Sequence, residues 1–409
     1  MHIKKIVDNV YRISVNIEDK GYLFEGIWPV PHGISINGYL IKAEKNVLID
    51  LTQNIFDFPA EITRQIEGAS LEIEDIDILI MNHMEPDHSG WLREFCKKNK
   101  KAVIYCTKKA VPLLEAFAGV PQERAVAITD GMELTVGDYE LQFFETPNIH
   151  WPETMMTYER KRKILFSCDA FGSYGSIDED KIFDDQISQE KHQFYESEAL
   201  RYYANIVATF SSFVLRGLEK LKGLDIKIIC PSHGIIWREN PAVIINDYKR
   251  YAEYSKGPAE RDVTIIWSSM YGNTQQVMNT IIEVLRKREI PVHVFRVPGD
   301  EAGYVLASAW KSAGLVFCMP TYEYKMFPPM AQMIDELLVK KVTNKKVYRF
   351  GSFGWVGGAQ KDFEATTEKA GWDILGHYEW QGAPTDADQE AIRTAMEGYC
   401  DALLEFTKK

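Results

Sequence analysis

The chain has 409 residues, too many for one ordinary hydrophobic core, so two domains are the default reading. A formal net charge of −12 argues against a nucleic-acid partner, because a phosphate backbone needs a basic surface. No apolar run approaches the length of a bilayer span, and Met1-His2-Ile3-Lys4-Lys5 leads into a strand-like segment rather than a signal-peptide core, so no membrane partner and a cytoplasmic protein are expected.

In chain order, strand-like segments are expected at 6–15, 35–42 and 46–51, followed by the apolar run Ile76-Asp77-Ile78-Leu79-Ile80-Met81 as a buried strand. Directly after it, Asn82-His83-Met84-Glu85-Pro86-Asp87-His88-Ser89-Gly90 packs two imidazoles and two carboxylates into six positions, 83–88. Alternation at a strand end sends His83 and Glu85 to one side, and the following turn can return Asp87 and His88 toward a second point. Two metal ions are the natural reading. Imidazole mixed with carboxylate and no thiolate suits iron, manganese or zinc.

Further strands are expected at 102–106, 134–145 and 155–158, and helices at 197–221 and 241–254. Three more candidate ligands follow or end apolar runs: His150 before Trp151-Pro152, Asp169 after Ile164-Leu165-Phe166-Ser167-Cys168, and His233 in Cys230-Pro231-Ser232-His233-Gly234. A single histidine on an apolar strand is more often structural than a ligand, and Asp87 before Ser89-Gly90 could be turn chemistry, so the weight lies in the set. His2, His32, His192, His293 and His377 match no such motif and read as structural or surface. Trp151 and Tyr158 are candidates to shape the pocket or simply to pack. The six cysteines contain no C-x-x-C pair, which fits reduced thiols and no attached rubredoxin or other cysteine-ligated cluster. Basic clusters at 97–101, 160–163 and 340–346 read as solvated loops or helix ends, with docking of an acidic electron carrier as the alternative.

The chain divides near Tyr254-Ser255-Lys256-Gly257-Pro258-Ala259-Glu260, giving expected domains 1–256 and 262–409. Beyond the boundary, strands at 263–267, 292–297, 314–319, 346–350 and 372–379 alternate with helical stretches, the pattern of a doubly wound parallel sheet. Its first turn carries Ser269, Met270, Tyr271, Gly272, Asn273 and Thr274, whose small and hydroxyl-bearing residues suit a phosphate at a helix start. Two more loops fall at strand ends: Pro320, Thr321, Tyr322 and Tyr324 after the third, and Ser352, Phe353, Gly354, Trp355, Gly357 and Gly358 after the fourth. The first turn resembles the flavodoxin phosphate-binding loop; by that resemblance the aromatics of the other two loops can stack on an isoalloxazine, and FMN is favoured over NAD because the first turn lacks G-x-G-x-x-G.

The 83–88 run resembles the H-x-H-x-D-H signature of the metallo-β-lactamase superfamily, with Glu85 where the second histidine would stand. A carboxylate there favours iron cycling between ferrous and ferric states over redox-silent zinc. With its motifs ordered from His83 to His233, the chain resembles a flavodiiron protein (A-type flavoprotein) of the minimal two-domain class. The resemblance implies an N-terminal metallo-β-lactamase-like αββα sandwich and a C-terminal flavodoxin-like domain. It implies one iron held by His83, Glu85 and His150, a second held by Asp87, His88 and His233, and Asp169 bridging both; ligation by the His88 equivalent varies among members.

The implied activity is reduction of O₂ to water, NO to N₂O, or both. Expected partners are an external donor, either rubredoxin or a reduced deazaflavin coenzyme, and a second copy of the chain in a head-to-tail homodimer or dimer of dimers. Two rival readings are a zinc hydrolase fused to a flavodoxin module and a flavodoxin-like carrier with a structural metal domain.

Overall fold

The computed structural model describes residues 3–408, which divide into two compact units, one of residues 3–203 and 212–249, the other of residues 204–211 and 250–408. His2, read as structural or surface, lies outside the described residues.

The first unit holds two sheets. Strands β1 (Lys4–Val7), β2 (Val10–Ile17), β3 (Ile34–Ile41), β4 (Asn46–Ile49), β5 (Ile76–Ile80), β6 (Val103–Thr107) and β7 (Ala125–Ile128) lie side by side in chain order, antiparallel through β4 and parallel from β4 to β7. The second sheet is β8 (Glu133–Val136), β9 (Tyr139–Glu145), β10 (Met155–Glu159), β11 (Ile164–Cys168) and β12 (Ile228–Pro231), antiparallel except for the last pair. Inner faces meet through Tyr39 on Phe166 and Tyr105 on Phe143, with ring centroids 5.1 and 6.0 Å apart. Tyr39 is fully buried, and its hydroxyl donates to the Pro231 carbonyl at 2.6 Å, which satisfies the one polar atom this packing would otherwise strand. Every residue of β3 is buried, so its run Ile-Ser-Ile-Asn-Gly-Tyr-Leu-Ile is a central strand covered on both faces.

Three expected elements are subdivided. The strand expected at 6–15 is two, β1 and β2, because Asn9 adopts a left-handed conformation (φ 61°) and turns the chain. The strand expected at 134–145 is the hairpin β8–β9, reversed at Gly137 (φ 57°). The helix expected at 197–221 begins earlier, at Gln189, where the Ser188 hydroxyl caps Lys191 N, and its α-helical ladder stops after Tyr202. A wide turn over Tyr203–Val207 and a tight one over Ala208–Phe210 precede a second helix, Ser211–Leu221. The Ser211 hydroxyl donates to the Ala208 carbonyl, a local bond that competes with a continuous ladder.

The second unit is built on five parallel strands, β13 (Glu260–Trp267), β14 (Val292–Arg296), β15 (Ser312–Cys318), β16 (Lys346–Phe353) and β17 (Asp373–Gln381), in spatial order β14-β13-β15-β16-β17. On one face, Ile281, Val284 and Leu285 of the helix Met278–Lys287 and Ile392, Met396 and Leu403 of Asp386–Phe406 bury against Val263, Ile265, Val316 and Phe350. Each such aliphatic side chain contributes roughly 1.5–3 kcal/mol by leaving water. The strand order reverses between β13's two neighbours, and a crevice opens there at the carboxyl ends.

Candidate functional site

In the first unit, all seven candidate metal donors lie at strand ends on one edge. His83, Glu85, Asp87 and His88 occupy the turn after β5, the last two inside the short helix Pro86–Ser89. His150 sits between β9 and β10, Asp169 directly follows β11, and His233 follows β12. Hydrogen bonds between the sheets fix this edge: Thr157 Oγ1 donates to Asn82 Oδ1 at 2.9 Å, and Asn37 N donates to the Ser232 carbonyl at 2.8 Å.

The donors fall into two groups. Glu85 Oε2 lies 2.8 Å from His150 Nε2 and 3.2 Å from His83 Nε2, and Asp169 Oδ2 lies 3.5 Å from His150 Nε2 and 3.4 Å from His83 Nε2. In the other group, Asp87 Oδ2 is 3.1 Å from His88 Nε2 and 3.2 Å from His233 Nε2, while Asp169 Oδ1 is 3.0 and 3.3 Å from them. The two oxygens of Asp169 thus serve different groups. His88, whose ligation varies by resemblance, turns its Nε2 into the second.

Buried polar atoms test whether cations fit here. Both carboxylate oxygens of Asp87, Asp169 Oδ2 and His233 Nε2 are buried without a hydrogen-bond partner, although oppositely charged atoms stand 3.1–3.5 Å from Asp87 Oδ2, Asp169 Oδ2 and His233 Nε2. They crowd common points instead of pairing along hydrogen-bond directions. Carboxylates withdrawn from water in this way are costly unless cations lie among them, and imidazole with carboxylate is the donor set of a first-row transition metal. Titration follows the same logic. Burial alone would lower His83, but Glu153, Glu85 and Asp169 overturn it and raise the imidazole to about 10. Burial would raise Asp87, yet the charge of His88 and contacts with His233 and His88 hold it well below the usual carboxylate range. The residues fit two cations.

Sequence reasoning missed the supporting residues. Glu153 Oε1 lies 2.7 Å from His83 Nδ1, and the Ser35 carbonyl lies 2.7 Å from His233 Nδ1, so each ring is held through the nitrogen that faces away from the cluster. Glu153 stands three residues past His150, close enough in sequence to have been weighed. Asp50 accepts from Asn82 N and Nδ2, and burial raises its carboxyl to about 6. The Tyr202 hydroxyl is buried and without a hydrogen-bond partner, its ring 5.5 Å from that of His233. Trp151 lies edge-on to His83 at 5.1 Å, whereas Tyr158 donates to the Asp225 carbonyl and is packing. His32 packs on Phe194 and His192 on Trp237, His293 pairs with Asp262, and His377 is exposed on β17. All six cysteines are buried and free.

In the second unit, the crevice at the carboxyl ends encloses about 300 Å³. Ser269, Met270, Tyr271 and Asn273 form one wall, Pro320, Thr321 and Tyr322 a second, and Ser352, Phe353, Gly354 and Trp355 a third. Glu323 and Gly382, which the sequence did not point out, complete it. Five expected contacts are not on the wall. Gly272 shapes the first loop from within (φ 91°), its N–H donating to Ser269 Oγ at 2.9 Å, and Thr274 is buried below with its hydroxyl 3.2 Å from Ser352 Oγ. Tyr324 turns outward against Trp355. Gly357 packs on Glu379, and Gly358 allows close approach of the Tyr324 carbonyl, 2.3 Å from where a Cβ would stand. The exposed rings of Tyr271 and Trp355 leave planar surfaces for a ring system to stack on.

A flavodoxin-like crevice and a carboxylate-linked pair of histidine groups on one chain define a flavoprotein with a dinuclear metal centre. Residues 34–234 match the ODP family beta lactamase and residues 265–395 match flavodoxin. The chain is 32% identical over 403 residues to the anaerobic nitric oxide reductase flavorubredoxin of Vibrio vulnificus, covering 97% of this chain and 78% of that protein. Against the corresponding flavorubredoxin of Aeromonas salmonicida the identity is 32% over 380 residues, 91% of this chain and 70% of the relative. Among solved structures, it superposes on rubredoxin oxygen:oxidoreductase of Desulfovibrio gigas with TM-score 0.92 at 25% identity over 100% of both chains. A flavo di-iron protein variant from Thermotoga maritima matches with TM-score 0.87 at 30% identity over 98% of both. The chain belongs to the flavodiiron protein family, and its two halves carry that family's metallo-β-lactamase-like and flavodoxin-like folds.

Proposed function

We infer that the protein is a flavodiiron oxidoreductase that reduces O₂ to water, NO to N₂O, or both, with FMN in the crevice and two irons in the histidine–carboxylate cluster. The observation that carries this reading is Asp169, whose two oxygens face two separate histidine groups. When bound, reduced FMN and a diferrous pair each supply two electrons, together the four that convert O₂ to two waters, while two suffice to join two NO molecules as N₂O and water.

The chain's own residues set the stage for that chemistry. His83, Glu85 and His150 would hold one iron, Asp87, His88 and His233 the other, and Asp169 would fix their spacing. Glu153 and the Ser35 carbonyl keep two of the imidazoles oriented. In the crevice, Ser269, Met270, Tyr271, Gly272, Asn273 and Thr274 would receive the phosphate of FMN, and the loops at Thr321 and Trp355 its rings. The functional modules are residues 1–256 and 262–409.

The zinc hydrolase reading is weaker. Glu85 adds a hard, charged oxygen donor to the first group, and the relatives that match along both halves are reductases. Among the described residues no helix is long and apolar enough to cross a membrane. An external donor must reload the flavin, and rubredoxin or a reduced deazaflavin coenzyme fits that need. A head-to-tail homodimer would let one subunit's flavin serve the other's irons.

Anaerobic reduction followed by parallel titration with O₂ and NO, with iron and flavin quantified on the same sample, tests the reading. Consumption of at least one gas, with FMN and iron both present, is expected. Bound zinc with thiol-ester hydrolysis and no gas consumption would reject it.

A further inference from the structure

Beneath the crevice lies a buried ion pair outside the flavin-lining residues. Arg349, on β16, is fully buried; its Nη1 donates to Glu379 Oε1 at 2.7 Å and to Gln360 Oε1 at 3.3 Å, and Nη2 to the Met319 carbonyl at 3.4 Å. Each partner adjoins a different lining segment, none of them the first wall. Met319 directly precedes Pro320, Gln360 follows the loop that carries Trp355, and Glu379 lies three residues before Gly382. The approach is close: a Cβ on Gly351 would stand 2.6 Å from Arg349 Nη2 and 2.3 Å from the Met319 oxygen, and one on Gly357 would stand 3.2 Å from Glu379 Oε2.

Such an arrangement is not the cheapest way to hold a sheet together. A well-packed apolar pair of similar volume commonly stabilises as much as a buried ion pair or more, and here Arg349 Nε is left without a hydrogen-bond partner. The two charges are also unequal in setting. The guanidinium is wholly enclosed, whereas the Glu379 side chain is 18% exposed, so water screens the carboxylate more. Of the two charges, the guanidinium is therefore the less screened.

We propose that Arg349, braced by Glu379, is a positioning residue of the flavin site: it ties together the loop at Pro320, the loop at Trp355 and the end of β17, and its charge favours the electron-rich, reduced flavin over the oxidised one. This rests on the FMN reading of the crevice. No electron passes through the pair; it acts on the loops and on the flavin's relative affinity in its two states.

The test uses full-length protein stripped of flavin and titrated with FMN, read by flavin fluorescence, together with the flavin midpoint potential of the reloaded protein. R349M is expected to weaken FMN binding by about tenfold or more through loss of loop pre-organisation and to lower the potential. E379Q is expected to raise the potential, because it removes the neutralising partner. R349K keeps the charge and should leave the potential near wild type. R349M/E379M restores packing, so its unfolding temperature should return toward wild type while the potential stays low; this variant and E379Q carry the test if R349M does not fold. Wild-type protein that binds no FMN would overturn the FMN reading and the proposal together. Wild-type protein that binds FMN, with R349M/E379M and E379Q matching it in affinity and potential, would overturn the proposal alone.

Discussion

Glu153 Oε1 lies 2.7 Å from His83 Nδ1 and accepts from Met84 N at 3.1 Å, so one carboxylate oxygen holds both the imidazole and the backbone next to it. A ring that donates through Nδ1 presents its Nε2 lone pair toward Glu85, His150 and Asp169, as a metal ligand must. Glu153→Ala is therefore expected to weaken metal binding at that group by about 10–100-fold, with Glu153→Gln less damaging because its amide oxygen still accepts. Iron retention against a chelator measures this; equal retention in wild type and E153A would contradict it.

Glu85 gives the sharpest distinction between iron and zinc. Its Oε2 stands within 3.2 Å of both His83 Nε2 and His150 Nε2. Replacement by histidine removes a negative charge and a hard donor, so Glu85→His is expected to shift metal content from iron toward zinc and to abolish gas reduction. Elemental analysis with oxygen and NO consumption reads both effects, and unchanged iron with unchanged turnover would refute the idea.

His88 faces Asp87 and Asp169 through the same nitrogen that His233 presents to them. Its geometry is that of a donor to the second group. His88→Ala should reduce iron to about half of the wild-type content by emptying that group first, since one of its three private donors is lost. A variant retaining full iron would assign His88 to packing.

Much of this site was legible before the fold. His83, Glu85, Asp87 and His88 cluster within six positions, and His150, Asp169 and His233 each sit beside an apolar run, so local pattern carried them. Glu153 was harder to read: its nearness to His150 was the one local sign, and its contact with His83 depends on β9 and β10 returning the chain to the turn after β5. The five strands of the second unit were readable from alternation with helices. The two split strands hung on single left-handed residues, Asn9 and Gly137. Thr274 and Gly272 were placed in the correct loop, yet which side chain faces the cavity depends on backbone dihedrals that spacing does not encode.

Gly351 lies near the end of β16, where Met319 and Arg349 converge. An added methyl there would meet backbone oxygen at 2.3 Å, which cannot yield as a flexible side-chain tip can. Gly351→Ala is expected to cost about 1–3 kcal/mol of stability and to lower bound FMN by displacing Ser352, Phe353 and the loop that follows them. Thermal unfolding and flavin-to-protein absorbance ratios report the two losses separately, and wild-type values in both would show that the strand end relaxes freely.

Lys345 provides a pH test away from both sites. Its Nζ is buried and donates to the Trp310 and Ser312 carbonyls at 2.8 and 2.7 Å, and burial lowers its pKa to about 7. An unfolded lysine titrates near about 10.4, so between the two pKa values the unfolded chain holds one more proton than the folded one, and this group makes stability rise with pH. Below the window both states are charged and the burial penalty is constant; above it both are neutral and the penalty is gone. Lys345→Met removes the term. From pH 7 to pH 9 the wild-type unfolding free energy should therefore gain up to about 2 kcal/mol relative to K345M, measured by denaturant titration of both at each pH. Other groups that titrate in that range act alike in the two proteins and cancel in the difference, so parallel slopes would mean that Lys345 stays protonated in the folded chain throughout.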